Sequence, residues 1–269
     1  MEYYKYLNDQ RLDVLEDLTM RYTQALVFND PFEAFPAIVD ENMDWYHQQF
    51  IELIESDIKS RVFKSQLEKQ AVFDACMKGF PEFYEFSADR NRQLDHAFSV
   101  VMSDALTKGY LSLSKTNRNI LMWSHYAQNH QGFIIGFDAK HEYFNSGVSE
   151  IIYSDKRPSL NPFQKEQAES VFLTKSTDWA YEQEVRKSMA FTGKEPLDSL
   201  PKSTDEVYES VKLFKYPKSA ISSVIFGWKS TPELRKNVLG ILDSHGLSSV
   251  KVMAAVPHPS EYKMTINNI

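Results

Sequence analysis

Hydrophobic positions recur at helical spacing through one long segment of the chain, residues 40–108. Ile51, Ile54 and Ile58 follow the three- and four-residue intervals of one helix face. The same interval returns more clearly later in the segment, at Leu94, Ala97, Phe98, Val101 and Ala105. The pattern predicts two to four helices, which would form a helical layer or an insertion in a larger fold.

Shorter apolar runs on both sides of that segment predict β-strands. YYKYL alternates its side chains near the start, and ISSVIFGW and VKVMAAV lie near the end. YLSLS, GFIIGFD and SEIIYSD come between them, and we expect the last two to pair with each other. This order predicts an α+β fold with one mixed or antiparallel sheet. We interpret residues 1–269 as a single domain and residues 40–108 as a helical insertion within it.

The sequence WAYEQEVRKSMAF predicts a further, longer strand. Successive side chains of a strand point to opposite faces, so one buried face is expected to carry Trp179, Tyr181 and Val185. The other face would carry a row of charges about 7 Å apart, namely Glu182, Glu184 and Arg186. Two interpretations remain open: an exposed, self-compensating charge row, or an active-site row in which neighbouring charges shift one another's pKa values.

The segment LMWSHYAQNHQGFIIGFD predicts a helix from Asn119 to Asn129 that ends near Gly132 and leads into a strand. Helical spacing would place Trp123, Tyr126 and His130 on one face, with His125 about 100° away from Tyr126. These side chains are either structural or part of a binding site. A metal site is disfavoured, because the two histidines are five residues apart and no cysteine lies near them.

A third polar segment, NDPFEAF, begins with a turn that Asn29, Asp30 and Pro31 favour. Glu33 follows directly and faces either solvent or a cleft. We predict that the three segments converge, so that Asn29 or Glu33, His125 or Tyr126, and Glu184 line one cleft. Spacing along the chain does not establish this proximity.

Composition removes several classes of function. The net charge of −7 and the pI of about 5.6 disfavour a purely electrostatic grip on nucleic acid over the whole surface. Only 9 of the 269 residues are glycine, and no glycine-rich phosphate loop is present. A single cysteine, Cys76, excludes an internal disulfide. Without a signal-like N-terminus or a long apolar run, we expect a cytoplasmic protein with no membrane partner.

Together, these motifs resemble an uncharacterised bacterial family catalogued as a domain of unknown function. The resemblance rests on NDPFE, on MWSHYA and on the W-x-x-E-x-E-x-R pattern. The matching positions are Asn29, Asp30, Glu33, Trp123, His125, Tyr126, His130, Lys175, Trp179, Glu182, Glu184 and Arg186. The family is in turn distantly similar to folds of the ADP-ribosyltransferase type, and its members are often found near phage-defence and toxin-like genes.

This resemblance implies an effector that consumes NAD by ADP-ribosyl transfer or NAD hydrolysis. It implies that Glu184 stabilises the ribosyl cation, Glu182 activates the acceptor and Arg186 orients Glu184. His125 would have a catalytic or binding role, and the remaining residues that would hold NAD are Tyr6, Asn29, Glu33, Trp123, Tyr126, His130 and Lys175. The acceptor would be a protein or a nucleic acid, and a partner protein or antitoxin is implied. Two alternatives stay open: a metal-dependent nuclease and a non-catalytic sensor or binding module.

Overall fold

The computed structural model describes residues 1–37, 41–159, 168–191 and 212–269. The fold is α+β, as predicted. The strands in chain order are β1 (Glu2–Leu7), β2 (Thr19–Arg21), β3 (Lys108–Ser114), β4 (Phe133–Asp138), β5 (Val148–Glu150), β6 (Ile152–Tyr153), β7 (Thr174–Lys175), β8 (Glu184–Ala190), β9 (Leu213–Lys215), β10 (Ile221–Phe226), β11 (Lys251–Pro257) and β12 (Met264–Asn268). The helices are α1 (Asp13–Glu16), α2 (Met43–Lys59), α3 (Gln66–Met77), α4 (Phe80–Ala88), α5 (Arg90–Thr107), α6 (Ile120–Tyr126), α7 (Ala168–Leu173) and α8 (Pro232–Ser244).

A mixed sheet of eight strands dominates the described residues, in the order β12-β11-β10-β4-β1-β3-β8-β5. β10 and β11 pair in parallel, and the other neighbouring pairs are antiparallel. β1 therefore lies near the centre, between β4 and β3, although it begins the chain. β8 lies beyond β3, with Ser112 opposite Arg186 and Ser114 opposite Glu184.

Alternating side chains give the sheet two apolar faces. On β4, Phe133, Ile135 and Phe137 join a core that also buries Leu234, Val238 and Leu242 of α8. Ile134 points to the opposite face, where it packs with Tyr6 and with Trp123 of α6. Because both faces of β4 are covered, its sequence is almost continuously hydrophobic.

The predicted helical segment is confirmed by α2 to α5, which follow one another between β2 and β3. Side chains cap their starts: Asn42 accepts from the backbone of Trp45, and Asp89 accepts from that of Arg92. The last helix of the segment packs through Val101, Met102 and Ala105 against Tyr110 and Phe172. That the segment is an insertion within one domain stays a prediction.

The predicted strand over residues 179–186 is wrong in its first half. Thr177–Glu182 forms a 3-10 helix, which Ser176 caps by accepting from the backbone of Asp178. Gln183 then turns left-handed, with φ of 46°, and β8 begins at Glu184. Trp179 and Tyr181 are therefore half-buried beside the sheet rather than inside it, and only Val185 is fully buried as predicted.

Two further predictions are wrong because the tertiary structure, and not the local sequence pattern, decides the conformation or the pairing. The helix predicted to reach Asn129 stops at Tyr126, because residues 128–130 adopt φ values of 50°, 51° and 70°. Gly132 is needed for a different reason: a Cβ there would lie 2.0 Å from the carbonyl oxygen of Leu7. The expected pairing of GFIIGFD with SEIIYSD is also wrong, since β4 pairs with β1 and β10 whereas β5 pairs with β8.

Two predicted elements fall wholly or partly outside the described residues. The polar loop at residues 192–210 lies wholly outside them. Of the short helix predicted at residues 163–176, α7 covers Ala168–Leu173, whereas Thr174–Lys175 form β7 instead, and residues 163–167 lie outside the described residues. Among the described helices, none combines the length and apolar character that a membrane span requires.

Candidate active site

A cavity of about 110 Å³ opens where β1, β3 and β8 lie side by side. Its aromatic and apolar walls include Tyr4, Tyr6, Phe28 and Met122. The polar side chains that line it come from distant parts of the chain and are Lys5, Asn29, Glu33, Ser112, Ser114, Tyr126, Lys175, Glu182, Glu184 and Arg186. The predicted convergence of the three polar segments is therefore confirmed for Asn29, Glu33, Tyr126 and Glu184.

Lys175 joins the two glutamates of the E-x-E sequence. Its Nζ donates to Glu182 Oε2 at 2.7 Å and to Glu184 Oε2 at 3.3 Å, and all three side chains are buried. Glu182 ends the 3-10 helix and Glu184 begins β8, with the left-handed Gln183 between them. The glutamates thus meet through Lys175 and not as neighbours on one strand face.

Arg186 connects Glu184 to Glu33 of the NDPFEAF segment. Its Nε donates to Glu184 Oε1 at 2.8 Å, and its other nitrogens donate to the Phe172 carbonyl at 2.6 Å and to Glu33. The ring of Phe28 covers the guanidinium at 4.4 Å. We call the five charged residues the carboxylate network: Glu33, Lys175, Glu182, Glu184 and Arg186. It holds one more carboxylate than cations, and each member is at most 5% exposed.

Burial and pairing oppose each other in this network. Burial raises the pKa of Glu184, and Lys175 offsets only part of that rise. Burial alone would lower the pKa of Lys175, but Glu184 and Glu182 more than compensate, so that pKa is raised. Burial also lowers the pKa of Arg186 to about 9, which still leaves it charged at neutral pH. The carboxyl group of Glu184 therefore gains a proton at a higher pH than an ordinary glutamate does.

Tyr126 connects the network to the outer part of the cavity. Its hydroxyl donates to Glu182 Oε1 at 2.5 Å and accepts from Asn29 Nδ2 at 3.2 Å. Burial, followed by the negative charge of Glu182, raises the pKa of Tyr126, so the phenol stays protonated and remains a donor. The helix α6 positions this phenol because Asn119 caps its start and Met122 and Trp123 anchor it in the core.

Tyr126→Phe is expected to lower the free energy of unfolding by about 1.5–3 kcal/mol, because the bond it removes ends on a charged group. Urea denaturation measures the change. Tyr262, which is fully exposed, offers the matched control, and Tyr262→Phe should leave the free energy unchanged. Equal stabilities of the two variants would mean that the phenol does not hold Glu182.

Eight of the predicted site residues line the cavity: Tyr6, Asn29, Glu33, Tyr126, Lys175, Glu182, Glu184 and Arg186. Their catalytic and binding roles stay predictions. Trp123, His125 and His130 do not line it, which corrects their expected place in the same site.

Each of these three aromatic residues has a separate environment. Trp123 is fully buried and donates through Nε1 to the Asn117 carbonyl at 2.9 Å. His130 stacks on the Trp123 ring, because the left-handed backbone at residues 128–130 turns the chain back toward α6. His125 is exposed, and its Nδ1 lies 3.1 Å from the hydroxyl of Tyr181.

Lys5 is the cavity residue that sequence reasoning missed most clearly. Its Nζ donates to the Ser112 carbonyl at 3.0 Å, and burial lowers its pKa to about 8 despite the nearby charge of Glu184. The only signal in the sequence is a lysine inside an otherwise apolar and aromatic strand. Ser112 and Ser114 were also missed, since their placement depends on the pairing of β3 with β8.

The Lys5 amine should lose its charge as the pH rises through about 8, well below the ordinary lysine value of 10.5. Reductive methylation with a labelled carbon, followed by NMR titration, measures this directly, and Lys5→Arg assigns the signal. In urea the same signal should titrate near the ordinary value, because the cause of the shift is burial. A Lys5 signal that titrates alike in folded and unfolded protein would contradict the desolvated environment of the amine in the cavity.

The residues that build most of the carboxylate network lie close together in sequence, between α6 and β8. This is the part of the chain that a known family covers. Residues 122–187 match the family described as "Protein of unknown function (DUF2971)". The DUF2971 match includes Tyr126, Lys175, Glu182, Glu184 and Arg186, whereas Lys5, Asn29 and Glu33 lie outside it. No curated protein and no solved structure matches the chain.

Proposed function

We propose that this protein consumes NAD as its substrate, by ADP-ribosyl transfer or by NAD hydrolysis. The observation that carries the proposal is the meeting of Glu182 and Glu184 at one cavity with the phenol of Tyr126 and the amide of Asn29. Aromatic walls and convergent polar groups, several with a perturbed pKa, together support a small-molecule site here.

The carboxylates suit a reaction that develops positive charge on a ribose. In the proposed step, the bond between ribose C1 and the nicotinamide nitrogen breaks, and its electron pair leaves with nicotinamide. The ribosyl group then resembles an oxocarbenium ion, which a fixed carboxylate such as Glu184 stabilises. An acceptor hydroxyl or a water molecule forms the new bond to C1 and gives its proton to Glu182.

The cations of the network act in this scheme as positioning groups. Arg186 holds Glu184 Oε1, and Lys175 holds both glutamates, so neither carboxylate needs to reorganise when charge develops. The cations also reduce the net negative charge, but carboxylates remain in excess. The positions of Tyr126 and Asn29 at the outer end support a role in orienting the substrate.

The nuclease alternative has weaker support. A magnesium ion needs oxygen ligands that are free to coordinate it, whereas the carboxylates here already bind Lys175 and Arg186. Among the described residues, no group of three or more His, Cys, Asp or Glu side chains is arranged to hold a metal. A metal ion bound by these carboxylates would also lie close to Lys175 and Arg186, whose positive charges would repel it.

The test is nicotinamide release from NAD by the purified protein, with radiolabelled NAD to detect transfer to the protein or to added RNA, DNA or protein. Release with label transfer identifies a transferase, and release without transfer identifies a hydrolase. If the protein cut nucleic acid only with a divalent metal ion and released no nicotinamide, the nuclease alternative would replace this proposal. Neither activity, even in a cell lysate that supplies acceptors, would favour the binding module.

An effector role in phage defence or as a toxin is part of the same proposal. If turnover is unregulated in the cell, expression should stop growth and lower cellular NAD together, and a partner or antitoxin would prevent both. Growth arrest at an unchanged NAD level would contradict this part of the proposal.

A further inference from the structure

A second cavity of about 230 Å³ lies on the other side of the Glu33–Lys175 ion pair, and both residues line both cavities. The turn of NDPFEAF forms one side of it. The loop after β6 forms another, with Asp155, Lys156 and Arg157. The second cavity is thus separated from the candidate active site by two side chains.

The acidic groups of this cavity are engaged within the protein. Asp30 Oδ1 accepts from the backbone of Phe32 at 2.9 Å, Asp155 accepts from the hydroxyl of Thr177, and Glu33 accepts from Arg186. None of them needs a ligand to satisfy it. Asp30 is also 4% exposed and faces little solvent.

Two other cations of the cavity are in the opposite situation, whereas Lys175 is paired with Glu33 and Glu182. Lys156 and Arg157 are exposed, and within the described residues neither side chain has an ion-pair partner. The guanidinium of Arg157 lies 5.7 Å from the ring centre of Phe32. Two free positive charges at the mouth of a cavity favour an anionic ligand, because the neighbouring carboxylates do not neutralise them at contact distance.

Two aromatic rings stand exposed beside these cations. Phe32 is 62% exposed and Phe35 is 45% exposed, although both belong to a short turn that is otherwise buried at Glu33 and Ala34. An apolar ring in water costs free energy unless a partner covers it. Flat rings next to basic side chains are the arrangement that binds nucleobases by stacking and phosphates by charge.

We infer that this second cavity binds a nucleobase-bearing phosphate, either a free nucleotide or the end of a single strand. The base stacks on Phe32 or Phe35, and the phosphate pairs with Arg157 and Lys156. The inference concerns binding alone and does not require NAD turnover at the first cavity.

The experiment measures binding of AMP by calorimetry and of a fluorescently labelled short single-stranded RNA by anisotropy. Wild-type protein should bind at least one of them, and Phe32→Ala and Arg157→Gln should each weaken that binding by about tenfold or more. If AMP competes with the RNA, a single terminal nucleotide is the ligand. If only the RNA binds, the ligand is a strand. Both results support the inference.

The chain offers a matched control in an exposed arginine–phenylalanine pair elsewhere. The guanidinium of Arg92 lies 4.1 Å from the ring centre of Phe86, which is 59% exposed, in the helical segment. Phe86→Ala and Arg92→Gln should leave binding unchanged. The inference would be overturned if both pairs of variants weakened binding equally, or if wild-type protein bound neither probe. Melting temperatures of all four variants should equal that of wild type, so folding does not confound the comparison.

Discussion

Glu184→Gln should lower NAD turnover by about 10²–10³-fold, the largest loss of activity expected from a single isosteric change in this protein. The proposed transition state carries positive charge that the ground state lacks, so a fixed carboxylate stabilises it selectively. Replacing the carboxylate with an amide of the same shape removes that charge, at a cost of about 3–4 kcal/mol. The measurement is the rate of nicotinamide release at saturating NAD.

The same variant should also be less stable than wild type. The sequence alone predicts that Glu184→Gln leaves the fold unaffected, but Glu184 is buried and accepts bonds from both Lys175 and Arg186. The amide leaves those cations with less compensation. Turnover must therefore be compared well below the melting temperature of the variant. The matched control is Glu150→Gln, an exposed glutamate paired with Lys115, which should change neither rate nor melting.

The pH profile separates a catalytic role of Glu184 from a purely structural one. Burial raises the pKa of Glu184 above 4.5. In the proposed mechanism the ionised form of Glu184 is the active one. Wild-type turnover should therefore fall as the pH drops, with its midpoint above the ordinary glutamate value. The residual turnover of Glu184→Gln should lack this acid limb. Full turnover in a folded Glu184→Gln variant would remove Glu184 from the mechanism.

Local periodicity predicts where the helix α5 and the strand β4 form, but it overstates how much of α5 is buried. Of the predicted apolar positions on α5, Val101 and Ala105 are buried, whereas Leu94 and Phe98 are exposed. The strand prediction fails between Trp179 and Gln183 because this segment also alternates, yet a capped 3-10 helix and a left-handed Gln183 occupy it, and the strand begins only at Glu184. Alternation over few residues does not distinguish a strand from a turn that leads into one.

The site itself depends on contacts that spacing cannot encode. Arg186 and Glu33 are 153 residues apart and meet only because β8 lies on the side of the sheet that faces the NDPFEAF turn. Lys5 is placed by the central position of β1, which follows from strand order and not from the sequence of β1. The sequence does indicate which residues are unusual. Which of them meet, and that His125 and His130 do not join them, follows only from the tertiary structure.

Arg186→Leu should lower the free energy of unfolding by about 3–5 kcal/mol, the largest loss of stability expected from a single change in the carboxylate network. The guanidinium is 2% exposed and compensates both Glu33 and Glu184, so its removal leaves two buried carboxylates without their main partner. Arg186→Lys should cost less than Arg186→Leu, because lysine keeps the positive charge. It should still cost more than a surface substitution, because an ammonium group lacks the planar guanidinium that reaches Glu33, Glu184 and the Phe172 carbonyl together.

The control for Arg186→Leu is Arg61→Leu, which removes an exposed arginine that pairs with Asp57 on α2. Exposed pairs of this kind contribute at most about 1 kcal/mol, so the two leucine variants should differ severalfold in their effect on urea denaturation. A double-mutant cycle with Glu33→Gln then measures the pair itself. Because Glu33→Gln removes one of the uncompensated charges, Arg186→Leu should cost less in that background than in wild type. Equal costs in both backgrounds would show that the pair with Glu33 contributes nothing, and that Arg186 stabilises the fold through Glu184, the Phe172 carbonyl and the ring of Phe28.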